Sequence, residues 1–375
     1  MNILIISTSD IKGGAAIAAY RLLNALKGKG ENVKMVVKDK LSNNPDVISV
    51  GSPYKKSWNF YYERGMIFLN NKLSRKNLFS VSIANTGESI TDLDEFKNAD
   101  IIHLHWINQG MLSLKEIKRI LSSGKKIIWT MHDMWSFTGV CHHAGECTNY
   151  EATCGKCPYL GSSSTNDLSS RVFQQKKNIY SLSSIHFVGV SNWIASKAAK
   201  SLLTAGHFIE VIPNAIDTDI FSPKEQTINT DGACKTIIMG ADRLDSPIKG
   251  FEYLRKALQI LVSKENKVNK DAIKLLLFGS IKDRSALFRD IPVNFEYMGR
   301  IDDAEKVAEL YRNAHAVVVP SLYETFGQTI IEGMSCGLPA ISFNNSGQTD
   351  IIAHKENGYL ARYKDVQDLA DGIYW

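Results

Sequence analysis

Short apolar runs that alternate with amphipathic helical segments constrain the fold of this chain more than any other feature. The apolar run NILIIS (2–7) is followed by Gly13 and Gly14, by a segment with apolar residues at helical spacing, and by a second apolar run, NVKMVVK. A strand, a glycine turn, a helix and another strand make a βαβ unit, and such units assemble into parallel sheets covered by helices. The sequence therefore predicts an α/β fold.

The alternation comes in two runs, which indicates two domains. Strand-like segments of the first run include ADIIHLHW, KKIIWTMH, IHFVGVS and FIEVIPN, and after Asn214 the pattern restarts with CKTIIMGA, IKLLLFG, NFEYMG, AHAVVVP and LPAISF. A chain of 375 residues also exceeds the roughly 150 residues of an average domain. We predict two Rossmann-like parallel-sheet domains, residues 1–215 and 216–375, that face each other across a cleft, with the hinge near IPNAIDTDIF.

Net charge and hydropathy argue against several classes of protein. The 44 basic and 39 acidic residues give a formal net charge of +5, too small an excess to neutralise a long run of nucleic-acid phosphates. No apolar run approaches the ~20 residues that span a bilayer, and MNILIIS has the character of a first strand rather than of a signal peptide. We expect a cytoplasmic protein without a nucleic-acid partner, whose charge suits small anionic ligands or an anionic membrane surface.

The segment YKKSWNFYYERGMIFLNNKLSRK (54–76) mixes aromatic and basic residues at helical spacing. Core packing of an ordinary helix is the favoured interpretation. The alternative is peripheral contact of this helix with the inner face of a membrane.

Two turns carry groups suited to binding phosphate, and in an open α/β sheet ligands collect at the carboxyl ends of the strands. The turn ADRLDSPIKG (241–250) places Arg243 and Lys249 between a strand and a helix, where two cations can converge on a diphosphate. Gly13 and Gly14 leave a second helix N-terminus open to phosphate oxygens. Their stretch matches neither GxGxxG nor GxxxxGK[ST], so it is the weaker of the two indications.

The stretch YETFGQTIIEGMSCGLP (323–339) carries two carboxylates on either side of a predicted helix N-terminus. Gly327 permits a tight turn into that helix, so Glu324 precedes the first turn and Glu332 lies about a turn and a half inside it. With phosphates at the helix N-terminus, Glu324 would bind sugar hydroxyls and Glu332 would bind the ribose of a nucleotide sugar. The alternative is that Glu324 only favours the helix dipole and that Glu332 is a solvated surface residue.

Four of the six cysteines, Cys141, Cys147, Cys154 and Cys157, lie close together in one polar loop. In a reducing compartment such clustering favours zinc over disulfides. The loop is poor in core-forming residues, so we expect a structural zinc to order it. Free or partly oxidised thiols are the alternative.

With these residues in place, the chain resembles the retaining GT-B glycosyltransferases of the glycosyl-transferase group 1 family, also called glycosyltransferase family 4. The resemblance rests on the E-x7-E motif in PSLYETFGQTIIEGMSCGLPAI and on SFNNSGQTDIIAHKENGYLA, ADRLDSPIKG and IPNAIDTDIF. HLHW, TMHDMWSFTG and the cysteine-rich stretch look like a subgroup associated with exopolysaccharide and colanic-acid-type assembly. Two departures are Asp350, where a glutamate is common, and one extra residue before Lys249.

The resemblance implies a hexosyltransferase that moves a sugar from a nucleotide-diphosphate sugar to a glycan or lipid-linked glycan, with retention, without a required metal or other cofactor, in bacterial surface polysaccharide biosynthesis. The N-terminal domain would bind the acceptor and the C-terminal domain the donor. His132 would face the transferred sugar, and its alternative is a packed histidine at a strand end. The implied catalytic residues are His132, Arg243, Lys249 and Glu324. The predicted donor-binding residues are Gly13, Gly14, Arg243, Lys249, Thr325, Phe326, Gly327 and Glu332.

Two other functions remain open. A nucleotide-sugar epimerase of the same fold would use His132 and Asp133 of TMHDMW. A zinc-stabilised binding module would use the basic surface and the cysteine cluster, but it leaves the paired cations and glutamates without a role. The chain ends in DVQDLADGIYW, whereas the proteins it resembles continue with helices that return to the first domain, so we expect a C-terminally shortened form.

Overall fold

The structure is a computed structural model that describes residues 1–224, 234–263 and 268–375. The chain divides into two compact units, residues 1–215 and 216–375. Each unit is built on a parallel sheet with helices between its strands. The predicted fold class, two parallel-sheet α/β domains, is confirmed.

The N-terminal unit has a seven-stranded parallel sheet in the order β3-β2-β1-β4-β5-β6-β7. Its strands are β1 Asn2–Ser9, β2 Asn32–Asp39, β3 Val47–Ser49, β4 Ile101–Leu104, β5 Lys126–Met131, β6 Ile185–Gly189 and β7 Phe208–Val211. Its helices are α1 Gly14–Gly28, α2 Pro53–Asn70, α3 Asp94–Asn98, α4 Leu114–Leu121, α5 Leu168–Tyr180 and α6 Asn192–Ala198. Strand order changes direction between β1 and β4, so the carboxyl ends of these two strands flank the crevice where open α/β sheets bind ligands.

The strands of this sheet are apolar along their whole length because helices cover both faces. In β1 all residues after Asn2 are buried. Ile3 and Ile5 pack with Ala19 and Leu23 of α1 in one apolar cluster. This explains why the first βα unit is recognisable from its sequence: the run without alternation is a strand buried on two sides, and the periodic run is the helix that covers it.

The C-terminal unit has a six-stranded parallel sheet in the order β10-β9-β8-β11-β12-β13. Its strands are β8 Lys235–Arg243, β9 Ile273–Ser280, β10 Asn294–Tyr297, β11 Ala316–Val319, β12 Ala340–Phe343 and β13 Gly358–Ala361. Its helices are α7 Phe251–Leu261, α8 Arg284–Leu287, α9 Ala304–Arg312, α10 Gln328–Ser335 and α11 Val366–Tyr374. Here the direction changes between β8 and β11, and the turns that follow these two strands carry the predicted phosphate and glutamate motifs.

Helix α2 forms where the aromatic and basic segment predicts a helix, but its predicted core packing is wrong. Tyr54 is 89% exposed, Trp58 66% and Tyr61 71%. The buried residues, which include Asn59 and Glu63, lie instead on the opposite face of the helix. Within the described residues, no helix combines the length and the apolar character needed to cross a bilayer.

Candidate active site

A close approach between two turns of the C-terminal unit creates the candidate site. Gly250 has a φ of +71°, and a Cβ at this position would overlap the carbonyl oxygen of Pro320. The amide of Leu322 donates to the carbonyl of Ile248 at 2.8 Å, which ties the same two turns together. Only glycine combines this left-handed backbone with such a contact. The turn after β8 therefore lies directly on the turn after β11.

Lys249 and Glu324 meet where these turns touch. The Nζ of Lys249 lies 2.6 Å from Oε1 of Glu324, and both side chains are mostly buried. Ser321 Oγ donates to the same carboxylate oxygen at 2.8 Å, and the amide of Glu324 donates to Ser346 Oγ at 3.0 Å. The carboxylate is thus held by a cation and a hydroxyl, while its backbone is tied to the loop after β12.

Arg243, the last residue of β8, is half exposed and pairs with Asp245. Its Nε lies 2.7 Å from Oδ1 and its Nη2 lies 3.0 Å from Oδ2 of that carboxylate, a two-pronged contact that orients the guanidinium plane. The hydrogen bond from Arg243 is the main cause that holds the pKa of Asp245 below its ordinary value. Each predicted phosphate-binding cation therefore has a carboxylate partner within its own unit.

Helix α10 begins after Gly327, and no side chain caps its first turn. The amides of a helix N-terminus carry partial positive charge and suit an anion. Glu332 lies inside this helix with only 8% of its surface exposed, so the interpretation of Glu332 as a solvated surface residue is wrong. The amide of Gly347 donates to the carbonyl of Glu324 at 2.8 Å, which packs the loop after β12 against the start of α10.

Replacing Gly250 with alanine should unfold the contact between these turns. Gly299 is a matched control, because its φ is +75° and a Cβ there meets nothing within 4 Å. We expect Gly299→Ala to lower the free energy of unfolding by about 1–2 kcal/mol through backbone strain alone. Gly250→Ala should cost about 1–3 kcal/mol more because of the steric overlap. Urea denaturation of both variants would measure this difference, and equal costs would contradict the close approach.

In the N-terminal unit, a buried carboxylate shapes the turn between β1 and α1. Asp10 is fully buried and accepts backbone hydrogen bonds from Ile11, Leu41 and Ser42 at distances between 2.8 and 3.2 Å. Burial alone would raise the pKa of Asp10. The hydrogen bonds from Ser42 and Leu41 have the larger combined effect and lower this pKa below its ordinary value. The turn leads to Gly13, which begins α1 without a side-chain cap, and a Cβ there would meet nothing within 4 Å.

His132 directly follows β5 and forms a hydrogen-bonded pair with His105, which follows the neighbouring strand β4. The Nε2 of His132 lies 2.8 Å from Nδ1 of His105. Burial lowers the pKa of His132 to about 4 and lowers the pKa of His105 as well. Both imidazoles are therefore neutral at pH 7, so one ring donates this hydrogen bond and the other accepts it. His132 keeps part of its surface exposed.

Asp133, the neighbour of His132, is committed to structural hydrogen bonds. Trp106 Nε1 donates to Oδ2 at 2.6 Å, His142 Nδ1 lies 2.7 Å from the same oxygen, and the amide of Trp135 donates to Oδ1 at 2.8 Å. Burial alone would raise the pKa of Asp133, but His142 beside it and the other donors lower it to about 2. This carboxylate anchors the loop that presents His132.

The cysteine-rich loop gives no support to the predicted structural zinc. Cys141, Cys147, Cys154 and Cys157 are free and line one small cavity of about 20 Å³. Across the three described stretches of the chain, no group of three or more His, Cys, Asp or Glu side chains is placed to hold a metal ion. Burial raises the pKa of Cys154 to about 11, so this residue is a protonated thiol at neutral pH.

The loop is not without apolar burial, contrary to the expectation on which the predicted zinc depends. In and directly after the loop, Ala144, Tyr150 and Leu160 have at most 3% of their surface exposed, and the ring of Tyr150 packs against that of Phe137, which precedes the loop. The buried side-chain nitrogen of Lys176 donates to the carbonyl of Trp135 at 2.6 Å and to that of Thr138 at 3.0 Å, in the segment just before the loop. Apolar packing contributes to the order of the loop, and these hydrogen bonds hold the segment that leads into it.

Sequence reasoning missed the partners of several predicted site residues. Asp245, Ser321 and Ser346 are small polar residues in turns, and their types carry no signal of their roles. His105 belongs to the quoted motif HLHW, and its place at the end of the strand before His132 was a usable signal. Gly13 and Gly14 lie at the start of α1 in the N-terminal unit, whereas Arg243, Lys249, Glu324 and Glu332 lie in the C-terminal unit.

Comparisons with known proteins agree with this architecture. Residues 12–220 match Glycosyltransferase Family 4, and residues 228–375 match Glycosyl transferases group 1. The chain is 24% identical to the putative colanic acid biosynthesis glycosyl transferase WcaC of Escherichia coli K12, over 72% of this chain and 65% of that protein. Sucrose-phosphate synthase from Thermosynechococcus elongatus has a similar structure, with a TM-score of 0.66 at 18% identity, over 99% of this chain and 88% of that one.

A second similar structure is that of Anabaena HepE in complex with UDP and glucose, with a TM-score of 0.58 at 15% identity, over 100% of this chain and 89% of that one. At such identities the likeness establishes the fold, which is GT-B. The Family 4 match alone spans more than half of the chain. This chain is therefore a GT-B glycosyltransferase that belongs to Glycosyltransferase Family 4.

Proposed function

We propose that this protein transfers a hexose from a nucleoside-diphosphate sugar to a glycan or lipid-linked glycan with retention of the anomeric configuration, in bacterial surface polysaccharide biosynthesis. The observation that carries the proposal is the Lys249–Glu324 pair, held between the turns after β8 and β11 beside the uncapped start of α10. The similarity to a putative colanic acid transferase supports the biological role, and the similarity to a UDP-bound and glucose-bound structure supports the class of donor.

The donor diphosphate would bind between cations and helix amides. Arg243 and Lys249 supply positive charge, and the first turn of α10 supplies backbone N–H groups near Thr325, Phe326 and Gly327. In the structure both cations already hold carboxylates. An arriving diphosphate would compete with those carboxylates for the cations, so it would not enter a site of uncompensated charge.

Release of Lys249 to the phosphates would free Glu324 for the sugar. A carboxylate cannot contact phosphate without repulsion, but it accepts hydrogen bonds from hydroxyls. Glu324, on one side of the helix start, would bind hydroxyls of the transferred hexose. Glu332, buried on the other side, would bind the ribose hydroxyls. The pairing seen in the structure thus orients Glu324 before donor binds.

The N-terminal unit would bind the acceptor, and His132 would face the transferred sugar. Its pair with His105 fixes the ring orientation and ties its tautomer to that of its neighbour. Gly13 and Gly14 would let the start of α1 approach donor phosphates closely. We also propose peripheral contact with a membrane surface, which suits a lipid-linked acceptor.

Bond cleavage would rely on electrostatic stabilisation. As the glycosidic bond to the diphosphate breaks, negative charge grows on the leaving phosphate, and Arg243, Lys249 and the α10 amides offset that charge. These groups supply the positive charge that a metal supplies in other transferases, so no metal is required. Asp133 is held by Trp106, His142 and Trp135, which favours transfer over the epimerase that would use this carboxylate on the sugar.

The test of this proposal is acceptor-dependent release of nucleoside diphosphate from a panel of nucleotide sugars, in the presence of EDTA. Arg243→Gln should lower kcat/KM by about 10–150-fold, the effect of losing one charged hydrogen bond. Arg119→Gln is the matched control, because Arg119 is similarly exposed and pairs with Asp92 at 2.7 Å in the other unit. An absolute need for added magnesium or manganese would count against the mechanism, and epimerised donor without transfer would count against the reaction.

A further inference from the structure

Helix α2 has its polar side chains on the protein side and its aromatic side chains in solvent, the reverse of an ordinary surface helix. Its buried residues are Asn59, Glu63, Arg64 and Ile67. Glu63 is completely buried and accepts hydrogen bonds from the amides of Ile83 and Ala84 at 2.8 and 2.9 Å. Docking of α2 on the protein therefore depends on buried polar bonds, which leaves the apolar surface of the helix facing outwards.

The outward side chains form one continuous stripe, which we name the aromatic face. It consists of Tyr54, Trp58, Tyr61, Tyr62 and Leu69, all of them exposed. At 3.6 residues per turn these five positions fall within about 100° of the helix circumference. The rings of Trp58 and Tyr62 are stacked, with their centroids 5.7 Å apart. Two further exposed apolar side chains, Leu73 and Phe79, follow the helix in the chain.

Within residues 53–80 the exposed and half-buried charges have one sign, and one of them, Lys55, lies 3.0 Å from the buried carboxylate of Glu88. Between residues 53 and 80 the basic residues with exposed or half-buried side chains are Lys55, Lys56, Lys72, Arg75 and Lys76. The single acidic residue of this segment is Glu63, which is buried and pairs with Arg64 at 2.7 Å. A partner that covers this patch must therefore accept aromatic rings and supply negative charge.

We propose that the aromatic face of α2 binds the surface of an anionic phospholipid bilayer. Tryptophan and tyrosine rings favour the headgroup region, where an apolar ring and a polar tip are both accommodated. Lysine and arginine beside them are attracted by anionic lipids. The inference rests on one part of the proposed function, the peripheral contact with a membrane. It adds which surface of the protein makes that contact and which lipid charge it prefers.

Co-sedimentation of the full chain with vesicles tests the inference without any sugar donor. We expect at least tenfold tighter binding to phosphatidylcholine vesicles containing phosphatidylglycerol than to phosphatidylcholine alone. Trp58→Ala/Tyr61→Ala should weaken binding to the anionic vesicles at least tenfold. Lys72→Gln/Arg75→Gln/Lys76→Gln should abolish the preference for anionic lipid. Tyr374→Ala/Trp375→Ala removes exposed aromatic residues of the other unit and should change nothing.

Trp58 and Tyr61 are exposed, so we expect Trp58→Ala/Tyr61→Ala to keep the wild-type melting temperature. Trp58→Ser serves as a second variant if the double substitution impairs folding. Activity on a soluble acceptor should stay unchanged in all of them, which separates this inference from the proposed transferase. Equal vesicle binding by wild type and the aromatic variants would overturn it. A second outcome would also overturn it: the wild type is a dimer, the aromatic substitutions make it a monomer, and neither form binds vesicles. In that case a second copy of the chain covers the aromatic face.

Discussion

Lys249→Met should lower kcat/KM for the nucleotide-sugar donor by about 10²–10³-fold, the usual cost of removing one preorganised group that stabilises developing charge. Methionine keeps much of the apolar stem of lysine but loses the ammonium that lies 2.6 Å from Glu324. The loss should appear mainly in kcat, because charge on the leaving diphosphate is greater in the transition state than in the bound donor. Steady-state kinetics of nucleoside diphosphate release would measure it.

Two controls separate catalysis from folding in this experiment. Lys256→Met alters an exposed lysine of α7 that pairs only loosely with Glu252, at 3.8 Å, and it should leave kcat/KM unchanged. Lys249→Met also leaves the mostly buried carboxylate of Glu324 without its cation. The double variant Lys249→Met/Glu324→Gln removes that carboxylate charge, so it should recover stability but not activity. Full activity in the double variant would contradict a catalytic role for both Lys249 and Glu324.

Glu324→Gln and Glu332→Gln should affect different parts of the donor. We expect Glu324→Gln to reduce transfer from the intact nucleotide sugar by about 10–150-fold and to leave binding of the free nucleoside diphosphate nearly unchanged. Glu332→Gln should weaken binding of both ligands by about the same factor, because the ribose is common to them. Isothermal titration calorimetry with nucleoside diphosphate, together with transfer kinetics, would separate the two effects.

A matched control for these glutamates is Glu305→Gln, which changes an exposed carboxylate in the first turn of α9. It should alter neither binding nor transfer. Equal losses of nucleoside diphosphate affinity in the Glu324 and Glu332 variants would refute the assignment of sugar and ribose to opposite sides of the helix start.

The fold was predictable because its signals are local. An apolar run buried on both faces, a glycine turn and a periodic run are each visible within about fifteen residues, as in β1 and α1. The weak strand β3 has three residues, Val47–Ser49, and no period of its own. It exists because β2 offers a free edge for parallel pairing, which is a property of the sheet and not of the segment.

The candidate site was only partly predictable, because its contacts join distant turns. The sequence indicates Lys249 and Glu324 separately. Their contact depends on the close packing of Gly250 against the carbonyl of Pro320, where any side chain would overlap. Likewise His105 and His132 meet because β4 and β5 are neighbours in the sheet. The aromatic spacing in α2 predicts a helix but does not predict which face of it is buried. Apolar side chains are usually on the buried face, whereas here the buried face carries Glu63.

The most direct test of the account is hydrogen exchange of the wild-type chain with and without the nucleoside diphosphate that raises its melting temperature most. We expect slower exchange of backbone amides in two segments, residues 243–250 at the end of β8 and in the turn after it, and residues 324–332 around the start of α10. Unchanged exchange in both segments, with protection confined to other parts of the chain, would contradict the central claim that these two turns of the C-terminal unit bind the donor.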